Sequence, residues 1–167
     1  MGKAMANAWA ADGVARLTLD TPFGAVRVTW TQGALCEVDL EPGPGAWEGE
    51  GVPAAVGEDL AAYFADGRHP VGLPVRLAGT AFQRRVWAAL CAIPPGRTRT
   101  YGELAADLHT SPRAVGGACR SNPCPIVVPC HRVVGAAGLG GFAGDTSGRK
   151  LAIKRWLLRH EGAAVPA

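Results

Sequence analysis

The chain has 167 residues, 48% of them hydrophobic and 19% charged, a balance that suits one large domain or two small ones around a real core. No apolar run reaches the roughly 20 residues of a membrane span, Met1–Ala11 lacks the apolar core of a signal peptide, and five cysteines without CxxC spacing suit a reducing, cytoplasmic setting. The formal net charge of +3 hides an asymmetry, because residues 1–78 hold 5 Lys/Arg against 10 Asp/Glu while residues 79–167 hold 12 against 4, so the second half is the one suited to face a polyanion.

In chain order, Met1–Ala11 reads as a frayed terminus. Val14–Asp20, Gly24–Thr31 and Ala34–Leu40 follow, rich in β-branched residues and nearly alternating in polarity. Turn chemistry at Thr21-Pro22-Phe23-Gly24 and at Gln32-Gly33 separates them, which predicts an antiparallel meander. Glu41–Pro53 is Gly/Pro-rich and predicts an exposed loop. Ala54–Ala65 has Val56, Leu60, Tyr63 and Phe64 at helical spacing and stops at Asp66-Gly67. In this acidic half His69 and Cys36 stand alone, and nothing has the look of a catalytic site.

The basic half begins with Thr80 as a cap for a helix over Ala81–Cys91, with Phe82, Val86, Trp87 and Leu90 on one face. Pro94-Pro95-Gly96 ends it. Thr100-Tyr-Gly-Glu103 has the form of a capping box and opens a helix to about Leu108. After the turn His109–Pro112, residues 113–122 form a second short helix, so the pair has helix-turn-helix geometry. Ala114, Gly116, Gly117 and Ala118 leave that second helix almost bare. Small residues there permit close approach, either of another helix or of a ligand such as DNA. A brief strand from Val133, a Gly-rich loop over Gly135–Gly148 and a basic amphipathic helix over Lys150–Glu161 follow. The tail after Gly162 is predicted to be disordered. The loop lacks phosphate-loop spacing, which excludes nucleotide binding of that kind.

Between the bare helix and the strand lies Asn122-Pro-Cys-Pro-Ile-Val-Val-Pro-Cys130-His131-Arg132-Val133. Proline fixes φ and removes donors, so this is a stiff, irregular ribbon whose Ile126, Val127 and Val128 need a core. It delivers one thiol, Cys130, beside a histidine that could serve as its base. Adjacency alone favours an ordinary buried cysteine beside a chance histidine, since cysteine is among the most buried residue types. Cys119, Cys124, Cys130 and His131 lack paired Cys spacing and are flanked by prolines, which argues against a metal site; Cys36 and His69 are too few for one in the first half.

These motifs together resemble one family, the O6-alkylguanine-DNA alkyltransferases, or methylated-DNA–protein-cysteine methyltransferases. The carriers are Gly79-Thr-Ala-Phe-Gln83 with Val86-Trp87, Thr100-Tyr101-Gly-Glu-Leu-Ala105, Arg113-Ala-Val-Gly116, Asn122-Pro123, Pro129-Cys-His-Arg-Val133 and Leu157-Leu158 with His160-Glu161-Gly162. They span residues 79–162, while the first half matches the family's first domain only in outline. The resemblance implies an α+β fold: a small N-terminal antiparallel sheet plus helix, RNase H-like, over residues 1–78, then a mainly helical C-terminal domain over 79–167 with a winged helix-turn-helix. It implies direct-reversal DNA repair, with irreversible transfer of an alkyl group from O6-alkylguanine to Cys130 after the base is flipped from the minor groove. O4-alkylthymine is a further candidate substrate.

In that reading His131 is the base toward Cys130 through a water, Glu161 orients the imidazole, Tyr101 donates its hydroxyl to the flipped base, and Asn122 braces the cysteine segment. Arg113 takes the place of the extruded base, and Thr100, Tyr101, Ala114, Gly117 and Ser121 line the DNA side. Double-stranded DNA is the implied partner of a monomer, with cooperative binding left open, and no cofactor or metal is implied. The sequence departs from the family pattern at Phe142, where a tyrosine is usual, in a shortened turn over Leu108–Pro112 and in a longer loop over Ala143–Leu151. The competing readings are a lesion-binding helix-turn-helix protein that transfers nothing and a Cys-His hydrolase; the latter has no evident oxyanion loop.

Overall fold

The structure is a computed structural model and describes residues 13–44, 51–142 and 148–166. The expected frayed terminus Met1–Ala11, the middle of the predicted loop at 41–53 and part of the Gly-rich loop lie outside the described residues. The chain is mixed α/β. Strands β1 (Val14–Thr21), β2 (Gly24–Thr31) and β3 (Ala34–Asp39) form an antiparallel sheet in the order β1-β2-β3. Gln32 and Gly33 both have positive φ, 48° and 80°, which is the two-residue turn whose twist matches paired strands. Cross-strand pairs such as Leu17↔Val28 and Val28↔Val38 set the register.

The outer edge of β3 is not left open. The Leu35 N–H donates to Pro74 O (2.9 Å) and the Leu35 carbonyl accepts from Arg76 N (2.7 Å), while the Val38 N–H donates to Pro123 O (2.9 Å). Both the connecting segment and the proline-rich ribbon are thus tied to the sheet, pairing that the sequence reading did not anticipate. Helix α1 (Ala54–Ala65) covers Val56, Leu60 and Tyr63 as its spacing requires. His69, expected to be isolated, pairs with Asp59.

Helix α2 (Ala81–Cys91) starts at Thr80 with a complete capping box through Gln83, an arrangement worth about 1 kcal/mol. Its Trp87 is buried and donates Nε1–H to Ala118 O at 2.8 Å, which ties α2 to the later helix that carries Ala118. Gly79 lies flat against that indole; a Cβ there would come within 2.5 Å of the ring. Strand β4 (Arg99–Thr100) leads into α3 (Tyr101–Asp107), whose capping box between Thr100 and Glu103 is the one the sequence predicts. Helix α4 (Pro112–Arg120) starts with Ser111 as its cap and Pro112 in its first turn. One 3-10 turn, Cys130–Arg132, precedes β5 (Val133–Val134), and β5 pairs with β4 in parallel. Helix α5 (Arg149–His160) closes the fold.

One hydrophobic cluster runs from the sheet through α1 and α2 to the cysteine segment and α5, with Val28, Tyr63, Trp87, Cys130 and Leu157 among its members. A smaller cluster of Val134, Leu139, Leu151 and Leu158 is completed by Ala163 and Val165. This corrects the expectation of a disordered tail. Gly162, at φ 76°, turns the chain back so that the Ala163 N–H reaches Leu158 O at 2.9 Å, a glycine-terminated helix end that carries apolar residues onto the core. Among the described residues no helix is long and apolar enough to cross a membrane.

Candidate active site

The ribbon that carries Cys130 is held by its own backbone and by Asn122. Asn122 donates Nδ2–H to Val128 O (2.8 Å) and accepts from Cys124 N at Oδ1 (2.9 Å), so one side chain closes the loop at both ends. The Val128 N–H donates to Cys124 O, and the Cys130 N–H donates back to Val128 O, both at 2.8 Å. Ile126 sits at φ 76°, a conformation that costs a β-branched residue on the order of 1–3 kcal/mol and persists only where the surroundings impose it. Rigidity here follows from sequence: prolines on both sides, an asparagine clamp, and an apolar filling of Ile126 and Val128 in the core.

Cys130 and His131 are both buried. Burial pushes the Cys130 thiol up, opposed by a hydrogen bond from Asn122 and the positive charge of Lys154. Burial likewise pulls His131 below the usual imidazole range, against the upward pull of Glu161. At rest the pair is therefore a neutral thiol beside a neutral imidazole. His131 donates Nε2–H to Glu161 Oε1 at 2.7 Å, because a carboxylate can only accept. That leaves Nδ1 as the basic nitrogen; it is buried and bonded to no protein group among the described residues. Neutral histidine with a free lone pair, oriented by a carboxylate, is the state a general base needs.

Glu161 is buried, and burial alone would raise its carboxyl. Its hydrogen bonds to His131 and Arg132 outweigh that and bring it down to about 2. Arg132 embraces it with two bonds, Nε–H to Oε2 at 3.0 Å and Nη2–H to Oε1 at 2.8 Å, and spends Nη1–H on Ile93 O at 2.6 Å. Tyr63 of α1 donates its hydroxyl to the same Oε1 at 2.8 Å. This corrects the expectation that the acidic half holds nothing of the site. The sequence reading gave no role to Arg132 or Tyr63: Arg132 lies within the quoted motif and could have been weighed, whereas Tyr63 looks from its spacing like one more core aromatic.

Lys154 is the other residue missed. It lies on the buried face of α5, donating Nζ–H bonds to Val133 O (2.7 Å) and Gly141 O (2.8 Å), and burial lowers it to about 8. Read as part of a basic helix face, it would be expected in solvent. Tyr101 opens α3, its hydroxyl 3.5 Å from Gly141 O and its ring packed against Gly140, where a Cβ would approach within 3.0 Å. Burial, then the nearby Cys119 and Cys130, push the phenol up, so it stays a protonated donor. Phe142 is buried in the core.

The remaining predicted residues lie on α3 and α4. Arg113, Gly117 and Ser121 are exposed on one side of α4, and Ala114 and Gly116 are partly so, while Val115, Ala118 and Cys119 face inward. A Cβ at Gly116 or Gly117 would meet nothing within 4 Å. The protein's own packing therefore does not require their smallness, and the helix-packing alternative for these glycines falls. Thr100 spends its hydroxyl on the Glu103 N–H (3.1 Å) and Ser121 spends its own on Gly117 O (3.1 Å). A cavity of about 520 Å3 borders Ile126, Val127, Pro129 and Arg132, but none of Tyr101, Cys130 and Arg113 lines it.

Comparison with known proteins agrees with this arrangement. Residues 81–163 match the family model described as 6-O-methylguanine DNA methyltransferase, DNA binding domain. The methylated-DNA–protein-cysteine methyltransferase of Mycolicibacterium paratuberculosis is 40% identical over 159 residues, covering 89% of this chain and 94% of the relative. That of Archaeoglobus fulgidus is 45% identical over 106 residues, 62% of this chain and 71% of the relative. The crystal structure of Mycobacterium tuberculosis O6-methylguanine methyltransferase superposes with a TM-score of 0.77 at 36% identity, over 92% of this chain and 96% of that one. The same organism's OGT in complex with DNA gives 0.74 at 36% identity, over 90% and 94%. With a buried Cys130–His131–Glu161 constellation and a relative matched over nearly its whole length, the chain belongs to the methylated-DNA–protein-cysteine methyltransferase family.

Proposed function

We propose that this protein repairs double-stranded DNA by moving the alkyl group of O6-alkylguanine onto Cys130, once per molecule. The observation that carries the reading is buried Cys130 next to His131, whose Nε2 is held by Glu161 at 2.7 Å, on a ribbon made rigid by prolines and Asn122. Sγ attacks the alkyl carbon; the new C–S bond forms as the C–O6 bond breaks, and that electron pair stays on the guanine oxygen. The thiol proton passes to His131 Nδ1 through a water, and the Tyr101 hydroxyl, keeping its proton, donates a hydrogen bond to the departing guanine. Asn122 braces the segment and Lys154 supplies positive charge while the thiolate forms.

DNA is read as lying against α3 and α4, taken here as the two helices of a winged helix-turn-helix, with Arg113 filling the gap left by the flipped base. The support is the free space over Gly116 and Gly117 and the exposed row of Arg113, Gly117 and Ser121, with Thr100, Tyr101 and Ala114 partly exposed. We read residues 1–78 as an RNase H-like domain and 79–167 as the DNA-binding and active-site domain of a cytoplasmic monomer, with O4-alkylthymine as a further substrate to test. Incubation with a duplex containing O6-methylguanine, followed by intact-protein mass and peptide mapping, is the test. The expected result is one methyl group on Cys130. Binding of the duplex with no mass change would instead favour a lesion-binding protein that transfers nothing.

A further inference from the structure

We propose that Tyr63, brought from the N-terminal half by the last turn of α1, is a positioning residue for the His131–Glu161 pair. This rests on the proposed alkyl transfer and assigns that half a part in it.

Four contacts from two directions seat Glu161. Tyr63 donates its hydroxyl to Oε1 at 2.8 Å. The carbonyl of the same Tyr63 accepts the His160 Nε2–H at 2.6 Å, so side chain and backbone of one residue hold two consecutive residues of the α5 end. Gly67, just past α1, packs on the backbone of that end: a Cβ there would lie 2.2 Å from His160 O and 2.9 Å from Glu161 Cα. Gly96 approaches from the other half, where a Cβ would lie 3.1 Å from Glu161 O. Gly67 therefore does more than stop a helix; only a residue without a side chain lets α1 come this close.

Glu161 Oε1 thus accepts three donors, from His131, Arg132 and Tyr63. The titratable and charged groups acting on His131 are Lys154 of α5, Glu161 at the α5 end, Arg132 of the 3-10 turn and, through Glu161, Tyr63 of α1. Each donor on the carboxylate disperses charge that would otherwise draw a proton onto His131. Tyr63 removes part of that pull without adding a charge, so it helps keep the base neutral and ready. A tyrosine placed only for packing would need no bond to the carboxylate that orients the base.

The test is single-turnover methyl transfer as a function of pH for the wild type, Tyr63→Phe, Glu161→Gln and the double variant, with melting recorded for each. Phenylalanine keeps the ring and deletes one oxygen. With one donor gone, Glu161 favours the imidazolium, and the acidic limb of the rate profile should move up by about one pH unit, roughly a tenfold loss on that limb. Above the limb the rate should stay within about threefold. In the Glu161→Gln background the Tyr63 effect should vanish, because its route is gone. Gly67→Ala, with the hydroxyl intact, should also lower the rate by displacing Glu161. A Tyr63→Phe profile that superimposes on the wild type, or losses that simply add in the double variant, would overturn the proposal. So would a Tyr63→Phe chain that fails to fold, since the bond would then be structural. A wild type that transfers nothing would overturn the alkyl-transfer reading itself and this proposal with it.

Discussion

At the scale of single residues, the site is a set of buried polar groups whose burial is tolerated because each finds partners. Cys130 is different in kind, since it is the group proposed to be consumed. Cys130→Ser should abolish methyl transfer while duplex binding in a gel-shift assay stays near wild type, because the exposed residues of α4 are untouched. Glu161 is different, being both the hydrogen-bond partner of His131 and the counter-charge of Arg132. Replacing it by Gln weakens two bonds to a buried guanidinium, and breaking a buried pair costs about 3–5 kcal/mol. Glu161→Gln should therefore be clearly less stable to urea at pH 7, yet lose less transfer rate than His131→Ala. The pH dependence follows from the sign of the shift. A carboxyl held at about 2 in the folded chain, against an ordinary value of 4.5, stabilises the fold fully above about pH 5. That contribution, roughly 3 kcal/mol, fades as pH falls from there toward 2. The stability gap between wild type and Glu161→Gln should narrow over the same range, and a gap constant down to pH 2 would contradict this account.

At the scale of elements, the proposed DNA face of α4 can be tested apart from its role in folding. Gly117 lies inside a helix with open space around it, so alanine there should stabilise the fold by about 0.5–1 kcal/mol. The same methyl group projects from the face assigned to DNA and should weaken duplex binding. A variant that is more stable to urea and poorer in a gel shift is the expected outcome; unchanged binding would remove α4 from the interface. Arg113, at the exposed start of this helix, should matter only when a base must leave a stack. Arg113→Ala is expected to slow repair of a duplex far more than reaction with free O6-benzylguanine, because unstacking costs a few kcal/mol that the free base does not incur. Equal losses on both substrates would make Arg113 structural.

At the scale of the whole molecule, the halves meet around Glu161. The α1 end supplies Tyr63 and Gly67, and Phe23 of the β1–β2 turn packs edge-on against Phe64 and Trp156 with ring centres 6.0 and 5.4 Å away. The stoichiometry of repair belongs to this scale too. A thioether on Cys130 lacks the electrophilic carbonyl through which acyl-enzymes are hydrolysed, so repair should plateau at one lesion per protein molecule. Repeated turnover on excess methylated DNA would refute it. The alkyl group also enlarges a side chain in a filled, proline-braced segment. Overpacking of that kind costs about 1–3 kcal/mol, so the alkylated protein should melt at a lower temperature than the fresh one.

Much of this was legible in the chain itself. Strand alternation, the Gln32-Gly33 turn, the Thr100–Glu103 capping box and the proline-rich ribbon each act over a few residues, and local chemistry is what a sequence states directly. The adjacency of Cys130 and His131, the pair proposed as nucleophile and base, was legible for the same reason. The tertiary structure alone decided which distant groups converge. Tyr63 and Glu161 are 98 residues apart, and nothing local to Arg132 or Lys154 states that each is buried with carbonyl partners. The tail's return to Leu158 and the parallel pairing of β4 with β5 were equally hidden. Hydrophobic periodicity says which face of an element is covered, but not what covers it. Whether a buried tyrosine is filler or a donor depends on the polar atom opposite it, and that atom is placed only when the whole chain has folded.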